Sequence, residues 1–399
     1  MKKQRSSRMV VAVQGASLKK MIILAVLGCM MMFMLIGAIT SLKPEYRISS
    51  SSVSNMTDQF SQETFIHLFS FENHYFSQLL PKERQKPNYS ALLFRMATSI
   101  NPDDPRSLLG GELPGFTLYD SKIIVAGEGT NYTNMPYESA PPLEVMLAER
   151  QASLESLEEA DKKHEEKQVP PPTQTTGGRK VVYIYHTHTR ESYLPALKGV
   201  TDPDLAFHRT VNVTKVGEKL AEEMEKRGIG AEVSTIDIEG ELKKKGMKYY
   251  QAYDMSRKTV VEAMSRNRDL QYFIDIHRDA RRRKYTTIKI HGADYARVAF
   301  IIGGENARYE KNLQLATQLH HLLQKKYPGL SRGVIEKKGA ETNGKFNQDL
   351  SENALLIEFG GVDNTFEELF RSVSAVADVF SEYYWQAQKV QAPAPAEKR

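Results

Sequence analysis

The sequence predicts an α/β protein. A mainly parallel central sheet flanked by helices should occupy residues 179–390, preceded by one transmembrane helix and a smaller extracytoplasmic region. Two observations carry this expectation. From Lys180 onward, apolar runs with the two-residue period of strands alternate with segments at the 3.6-residue period of helices. Such alternation suits a parallel sheet joined by crossover helices. Residues 21–40, "MIILAVLGCMMMFMLIGAIT", carry no charge, and at about 1.5 Å per residue they reach across roughly 30 Å of hydrocarbon.

Taken in order, residues 1–20 hold Lys2, Lys3, Arg5, Arg8, Lys19 and Lys20 and no acid. This bias assigns them to the cytoplasm and everything after Lys43 to the outside. A cleaved signal peptide would have a shorter apolar core, about 7–15 residues, and a small-residue cleavage site. "IGAITSLKPEY" is a poor one, so residues 21–40 are expected to stay as a single anchor. Residues 41–150 begin as a Ser-rich stalk and continue as apolar clusters broken by Pro and Gly, with no chemical motif. The stretch 143–168 reads as one charged helix. "VPPPTQTTGG" completes a linker region over 151–178, stiff at its prolines and loose at its Thr and Gly residues. A new domain should start near Arg179.

Within it, "KVVYIYHT" reads as a strand. "TVNVTKVGEKLAEEMEKRG" reads as a helix, with Val213, Val216, Leu220 and Met224 on one face and Gly228 as its C-terminal cap. "GAEVSTID" is a strand and "YDMSRKTVVEAMSRN" a helix. "QYFIDIHRD", "TTIKIHG" and "ARVAFIIGG" are strands. A long helix follows, stopped by Pro328 and Gly329, then the strand "ALLIEFGG" and a last helix. Residues 391–399, rich in Pro and Ala, read as a disordered tail.

Composition narrows the function. The length of 399 residues exceeds one ordinary domain, and 41% hydrophobic with 26% charged residues is normal for a globular chain. A net charge of +5 is small for this length and argues against a dedicated nucleic-acid binder. The single cysteine, Cys29, excludes an intramolecular disulfide. Any metal site beyond the anchor must therefore use His, Asp or Glu.

Polar residues at the ends of buried strands are the candidates, because ligands of open α/β sheets bind there. His186 and His188 follow the first strand, His277 ends "FIDIHRD", and Glu358 precedes Gly360 and Gly361 in "ALLIEFGG". His208 stands at the entrance to the first helix. Singly, each has a plain reading as a turn residue, a cap or a partner for Arg. Together, three imidazoles and a carboxylate suit a hydrolytic zinc site, in which a bound water is acidified to a pKa of about 7 and a free carboxylate moves its proton. Asp275 lies two residues before His277, hence on the same strand face, where it can orient the ring. Arg278 can grip a carboxylate in a bidentate fork, or pair with Asp279 or Glu191 instead. Arg190 also flanks the site. An "HExxH" helix is absent, which disfavours the common peptidase class.

Residues 179–390 resemble the zinc-dependent N-acetylmuramoyl-L-alanine amidases. "YHTH" stands where that family has Asp-Pro-Gly-His, which makes His188 a better match than His186. "HRTVN" replaces the family's Glu-Lys-x-x-Asn, placing His208 at the second ligand and keeping Asn212. "DIHRDA" gives His277 as the third. "LIEFGGVDN" matches the run that holds the catalytic Glu, giving Glu358 and Asn364. More closely, "YHTHTRESY", "DIHRDA", "IGGEN", "NQDLSENALLIEFGGVDN" and the single anchor are similar to the stage II sporulation protein P family of endospore-forming bacteria. That resemblance implies Zn2+ on His188, His208 and His277. It also implies a single-pass protein of the bacterial cell membrane, with its catalytic domain outside, at the sporulation septum. Its substrate would be peptidoglycan, cut at the muramoyl-L-alanine amide and also at stem-peptide cross-links, in septal thinning and engulfment. Stage II sporulation proteins D and M are the implied partners. The rival expectation is a module that binds peptidoglycan or a partner around a structural metal.

Overall fold

The computed structural model describes residues 121–165, 171–306, 308–338 and 342–391. The cytoplasmic segment, the anchor at 21–40, the stalk and residues 392–399 of the expected tail lie outside the described residues. Among the described residues, no helix is long and apolar enough to cross a membrane.

The centre is a seven-stranded sheet in the order β1-β8-β7-β9-β4-β2-β3. Its strands are β1 (Lys122–Ala126), β2 (Lys180–Tyr185), β3 (Gly230–Val233), β4 (Tyr272–Asp279), β7 (Val298–Gly303), β8 (Ser331–Lys337) and β9 (Ala354–Gly361). Two further strands, β5 (Thr287–Ile290) and β6 (Ala293–Ala296), form a separate antiparallel ribbon. The helices are α1 (Leu143–Leu147), α2 (Leu154–Glu165), α3 (Thr214–Lys226), α4 (Ile238–Lys244), α5 (Ala252–Arg266), α6 (Arg283–Thr286), α7 (Tyr309–Lys326) and α8 (Phe366–Gln391).

Strand alternation divides the core into two layers. Val182 and Ile184 of β2, Ile274 and Ile276 of β4, and Leu355, Ile357 and Phe359 of β9 pack with α3, α7 and α8. Tyr183, Tyr185 and Phe273, on the opposite face, pack with Val260 and Ala263 of α5. Fully burying a side chain of the Val, Leu or Ile type contributes about 1.5–3 kcal/mol, so the first layer supplies most of the driving force. The α3 helix ends as its sequence requires. Gly228 takes φ +81°, and Ile229 N–H returns to the Met224 carbonyl.

The sheet is mixed. β2–β3, β2–β4, β4–β9 and β7–β8 are parallel, whereas β7–β9 and β1–β8 are antiparallel. Between β4 and β7 the chain doubles back through α6 and the β5–β6 ribbon with no long crossover helix, so β7 must run against β4 and its parallel neighbour β9.

Three further differences from expectation have local causes. The compact unit extends well before Arg179, because β1 supplies the sheet's edge next to β8. The charged helix expected over 143–168 is broken into α1 and α2, because Ala152 bridges Leu197, Ser153 N–H bonds the Ala196 carbonyl and Lys198 N–H bonds the Gln151 carbonyl. β6, β8 and α4 appear where no element was expected. β8 carries Arg332, Glu336 and Lys337, polar residues buried beside partners, which hide its strand pattern.

Candidate functional site

The parallel register of β4 and β9 sets His277 directly beside Glu358. Alternation then sends Asp275, His277 and Glu358 to the face opposite Ile276 and Ile357. β2 stops at Tyr185, and the run His186-Thr187-His188-Thr189 crosses the carboxyl ends of the parallel strands. His188 meets His277 edge-on, with ring centres 5.0 Å apart. His186 packs instead on α3, where a Cβ added to Gly217 would lie 2.4 Å from its Nε2. The structure thus brings His188, not His186, to the other candidates.

Carboxylates surround the two rings. Asp275 Oδ1 lies 3.2 Å from His277 Nε2. It is fixed by the Thr187 backbone N–H (2.9 Å) and hydroxyl (2.6 Å). Glu191 Oε2 lies 3.7 Å from His277 Nδ1 and accepts the Arg278 backbone N–H at 2.9 Å. Glu138 Oε2 lies 3.4 Å from His188 Nε2, and Lys337 Nζ is 4.0 Å from the same carboxylate. Glu239 of α4 accepts the Thr189 hydroxyl. Thr187 and Thr189, two apart in sequence, therefore hold the two acids Asp275 and Glu239. Tyr249 stacks on His188 at 4.5 Å and Tyr253 stacks on His277 at 6.2 Å.

This crowding shifts the titrations. Burial pushes the Glu358 carboxyl up to about 8, against the pull of Lys337 and His277. Burial opposes charge on His277, but Asp275, Glu191 and Glu138 outweigh it and raise its pKa to about 10. Burial acts upward on Glu138 too, yet the hydrogen bond from His188 and the charge of Lys337 hold it well below the usual carboxylate range. Burial lowers His186 to about 4. The field around His277 thus favours one positive charge, a proton or a metal cation in its place.

The donor types suit zinc. His188 Nδ1, both nitrogens of His277, Glu191 Oε1 and both oxygens of Glu358 are buried without a hydrogen bond. So many orphaned atoms around one point are costly unless a ligand satisfies them. Among the described residues, no three His, Asp or Glu side chains already converge closely enough to hold an ion. His277 Nε2 already faces Asp275 at 3.2 Å, which leaves Nδ1, 3.7 Å from Glu191, as the nitrogen available to an ion.

The other expected site residues serve the scaffold. Both nitrogens of His208 are engaged, Nδ1 by the Val211 N–H (2.9 Å) and Nε2 with the Arg150 carbonyl (3.0 Å). It closes a turn through these contacts, and among the described residues no contact joins it to His188 or His277. The carboxylate beside His277 is Glu191 instead. Asn212 bonds the carbonyls of His208 and Arg209 and accepts from Thr214 at the start of α3. Asn364 accepts the Gly361 N–H and donates to Thr287 and Glu368. Arg190 forks onto Asp237 at 2.9 and 2.6 Å. Arg278 is fully buried over the Phe207 ring, its guanidinium bonds the Asp279 and Ala206 carbonyls and not the Asp279 carboxylate, and its Nε has no partner. Asp279 is held by Arg332 and accepts the Tyr137 N–H. Glu138, Glu191, Glu239, Tyr249, Tyr253 and Lys337 were missed. Only the four-residue spacing of the tyrosines gave a signal, and Glu138 lies in a loop without one.

The family model described as Stage II sporulation protein P matches residues 103–381. The chain belongs to that family. A stage II sporulation protein P of Bacillus subtilis (strain 168) is 50% identical over 397 residues, covering 100% of this chain and 99% of the relative. As a stage II sporulation protein P family member, the chain is a sporulation protein. The match begins well ahead of Arg179 and so takes in β1 and Glu138. Among solved structures, Cwp6 from Clostridium difficile is similar over 52% of this chain and 30% of its own, at 16% identity and a TM-score of 0.31. A candidate metallopeptidase from Shewanella denitrificans OS217 is similar over 58% of this chain and 88% of its own, at 10% identity and a TM-score of 0.23.

Proposed function

We propose that this protein is a zinc-dependent peptidoglycan hydrolase that cleaves the amide between N-acetylmuramic acid and L-alanine. The observation that carries the reading is the pairing of His277 with Glu358 on adjacent strands, near His188 and Glu191, with both Glu358 oxygens, His188 Nδ1 and Glu191 Oε1 buried and without a hydrogen bond. His188, His277 and Glu191 would hold the metal. Zinc, when bound, supplies an acidified water and polarises the amide carbonyl. Asp275 orients His277 and is itself fixed by Thr187. Glu358 is the group left to move a proton. Its pKa, raised by burial, falls when a cation stands beside it, so it can accept a proton from water. It then returns that proton to the leaving nitrogen as the C–N bond breaks and the new C–O bond forms. The wider reading includes the membrane anchor at residues 21–40, action outside the cell membrane, and sporulation proteins D and M as partners.

The test is digestion of purified sacculi by the detergent-solubilised full chain, with and without a chelator. New L-alanine amino termini and peptide-free glycan, lost on chelation and restored by zinc, are expected. Tight binding without new termini would replace the hydrolase with a binding module.

A further inference from the structure

Tyr249 lies in the 3-10 turn Tyr249–Gln251 and Tyr253 lies one helical turn later in α5. Both rings are clamped against the site. Tyr249 stacks on His188 at 4.5 Å. Tyr253 meets His188 edge-on at 5.6 Å, His277 face-on at 6.2 Å and Phe346 edge-on at 5.4 Å. Both hydroxyls are shut away from solvent with no hydrogen-bond partner.

A buried hydroxyl without a partner is destabilising, a cost that phenylalanine would avoid while keeping the same packing. Tyrosines elsewhere in the molecule are supplied. Tyr193 donates to the Phe359 carbonyl, Tyr309 to Glu336 and Tyr327 to Asp378. Two orphaned phenols one helical turn apart, both against His188 and one of them also against His277, indicate a missing acceptor in the site itself. Packing alone does not explain the oxygens.

We propose that Tyr253 and Tyr249 are catalytic residues whose O–H groups donate to the carbonyl oxygen of the scissile amide as it gains negative charge. The inference rests on the hydrolase reading above. An ordinary phenol titrates near 10, so at neutral pH both carry the proton that a donor needs. They keep their protons throughout. Water supplies the oxygen of the new bond, and the travelling proton passes through Glu358 to the departing nitrogen. Tyr253, locked on three sides by rings, is the fixed donor, and Tyr249 is the second. Donors already in place where charge develops are worth more than donors that must reorganise.

The experiment uses the full chain in detergent and solubilised wall strands, with Tyr253→Phe and Tyr249→Phe variants. For Tyr253→Phe, kcat should fall about 100- to 1,000-fold, the loss typical of one such donor, with KM little changed. Metal content should stay at the wild-type level. The thermal midpoint should stay equal or rise, because an unsatisfied hydroxyl has been removed. Wild-type kcat in both Phe variants overturns the proposal while leaving the hydrolase reading standing. A fall in midpoint and metal content together with activity also overturns it, since the hydroxyl then serves structure. A wild-type protein that cuts no amide overturns both.

Discussion

Glu358 and His208 show how the same kind of prominence in the sequence can mean different things at the residue scale. Glu358 is buried with both oxygens unpartnered beside His277. Glu358→Gln keeps shape and removes the titration. Turnover should fall at least about 100-fold, as for loss of a general base, while metal content by mass spectrometry stays at the wild-type level. His208 has both nitrogens occupied by backbone groups. Metal content and turnover should therefore survive His208→Ala, whereas His277→Ala and Glu191→Gln should each lose the metal. Metal loss in His208→Ala alone would reverse this ligand assignment.

At the scale of elements, β2, β4 and β9 were legible because they are central, apolar and followed or punctuated by their candidate site residues. Runs such as "YFIDIH" and "ALLIEF" leave little choice of structure. β8 was not legible, because its Arg332, Glu336 and Lys337 are buried by virtue of partners far away in sequence. Glu191, the proposed ligand, was hidden for a similar reason. It follows no strand and reaches His277 only because the 188–213 loop folds back, with a bridge from Glu191 to Phe207. Two elements give direct tests. Gly217 of α3 lies so close to the His186 ring that a methyl group cannot fit without movement. Gly217→Ala should cost about 1–3 kcal/mol in urea unfolding, the usual penalty of overpacking. On α7, His320 bonds the Ser331 hydroxyl at 2.7 Å, and burial lowers its pKa to about 4 from 6.5. The unfolded chain takes up this proton below pH 6.5 and the folded one only near pH 4. Stability is therefore unaffected above 6.5 and falls between the two, by about 3 kcal/mol at most at 1.36 kcal/mol per pKa unit. The urea midpoint of His320→Gln should drop less than that of wild type between pH 7 and 4.5.

For the whole molecule, the segment before the expected linker belongs to the sheet and to the site. Arg332 joins Asp279 of β4 to the Asn134 carbonyl, Tyr137 N–H bonds Asp279, and Glu138 then reaches His188. Arg332→Ala leaves the Asp279 charge buried without its guanidinium, a loss of about 3–5 kcal/mol. Circular dichroism should show one earlier, still cooperative transition, and a separate early transition of residues 121–165 would contradict this unity. The sheet order has a consequence for the newborn chain. Among the described strands, β9 is the one whose backbone pairs with both the β3-β2-β4 half and the β7-β8-β1 half, and it is the last of them to be synthesised. Until residue 361 is available, a growing polypeptide holds two half-sheets with open edges, and His277 lacks its neighbour Glu358. Under the proposed hydrolase reading the chain stays inactive until its last strand is made, because the strand that completes the sheet also delivers the proposed proton carrier.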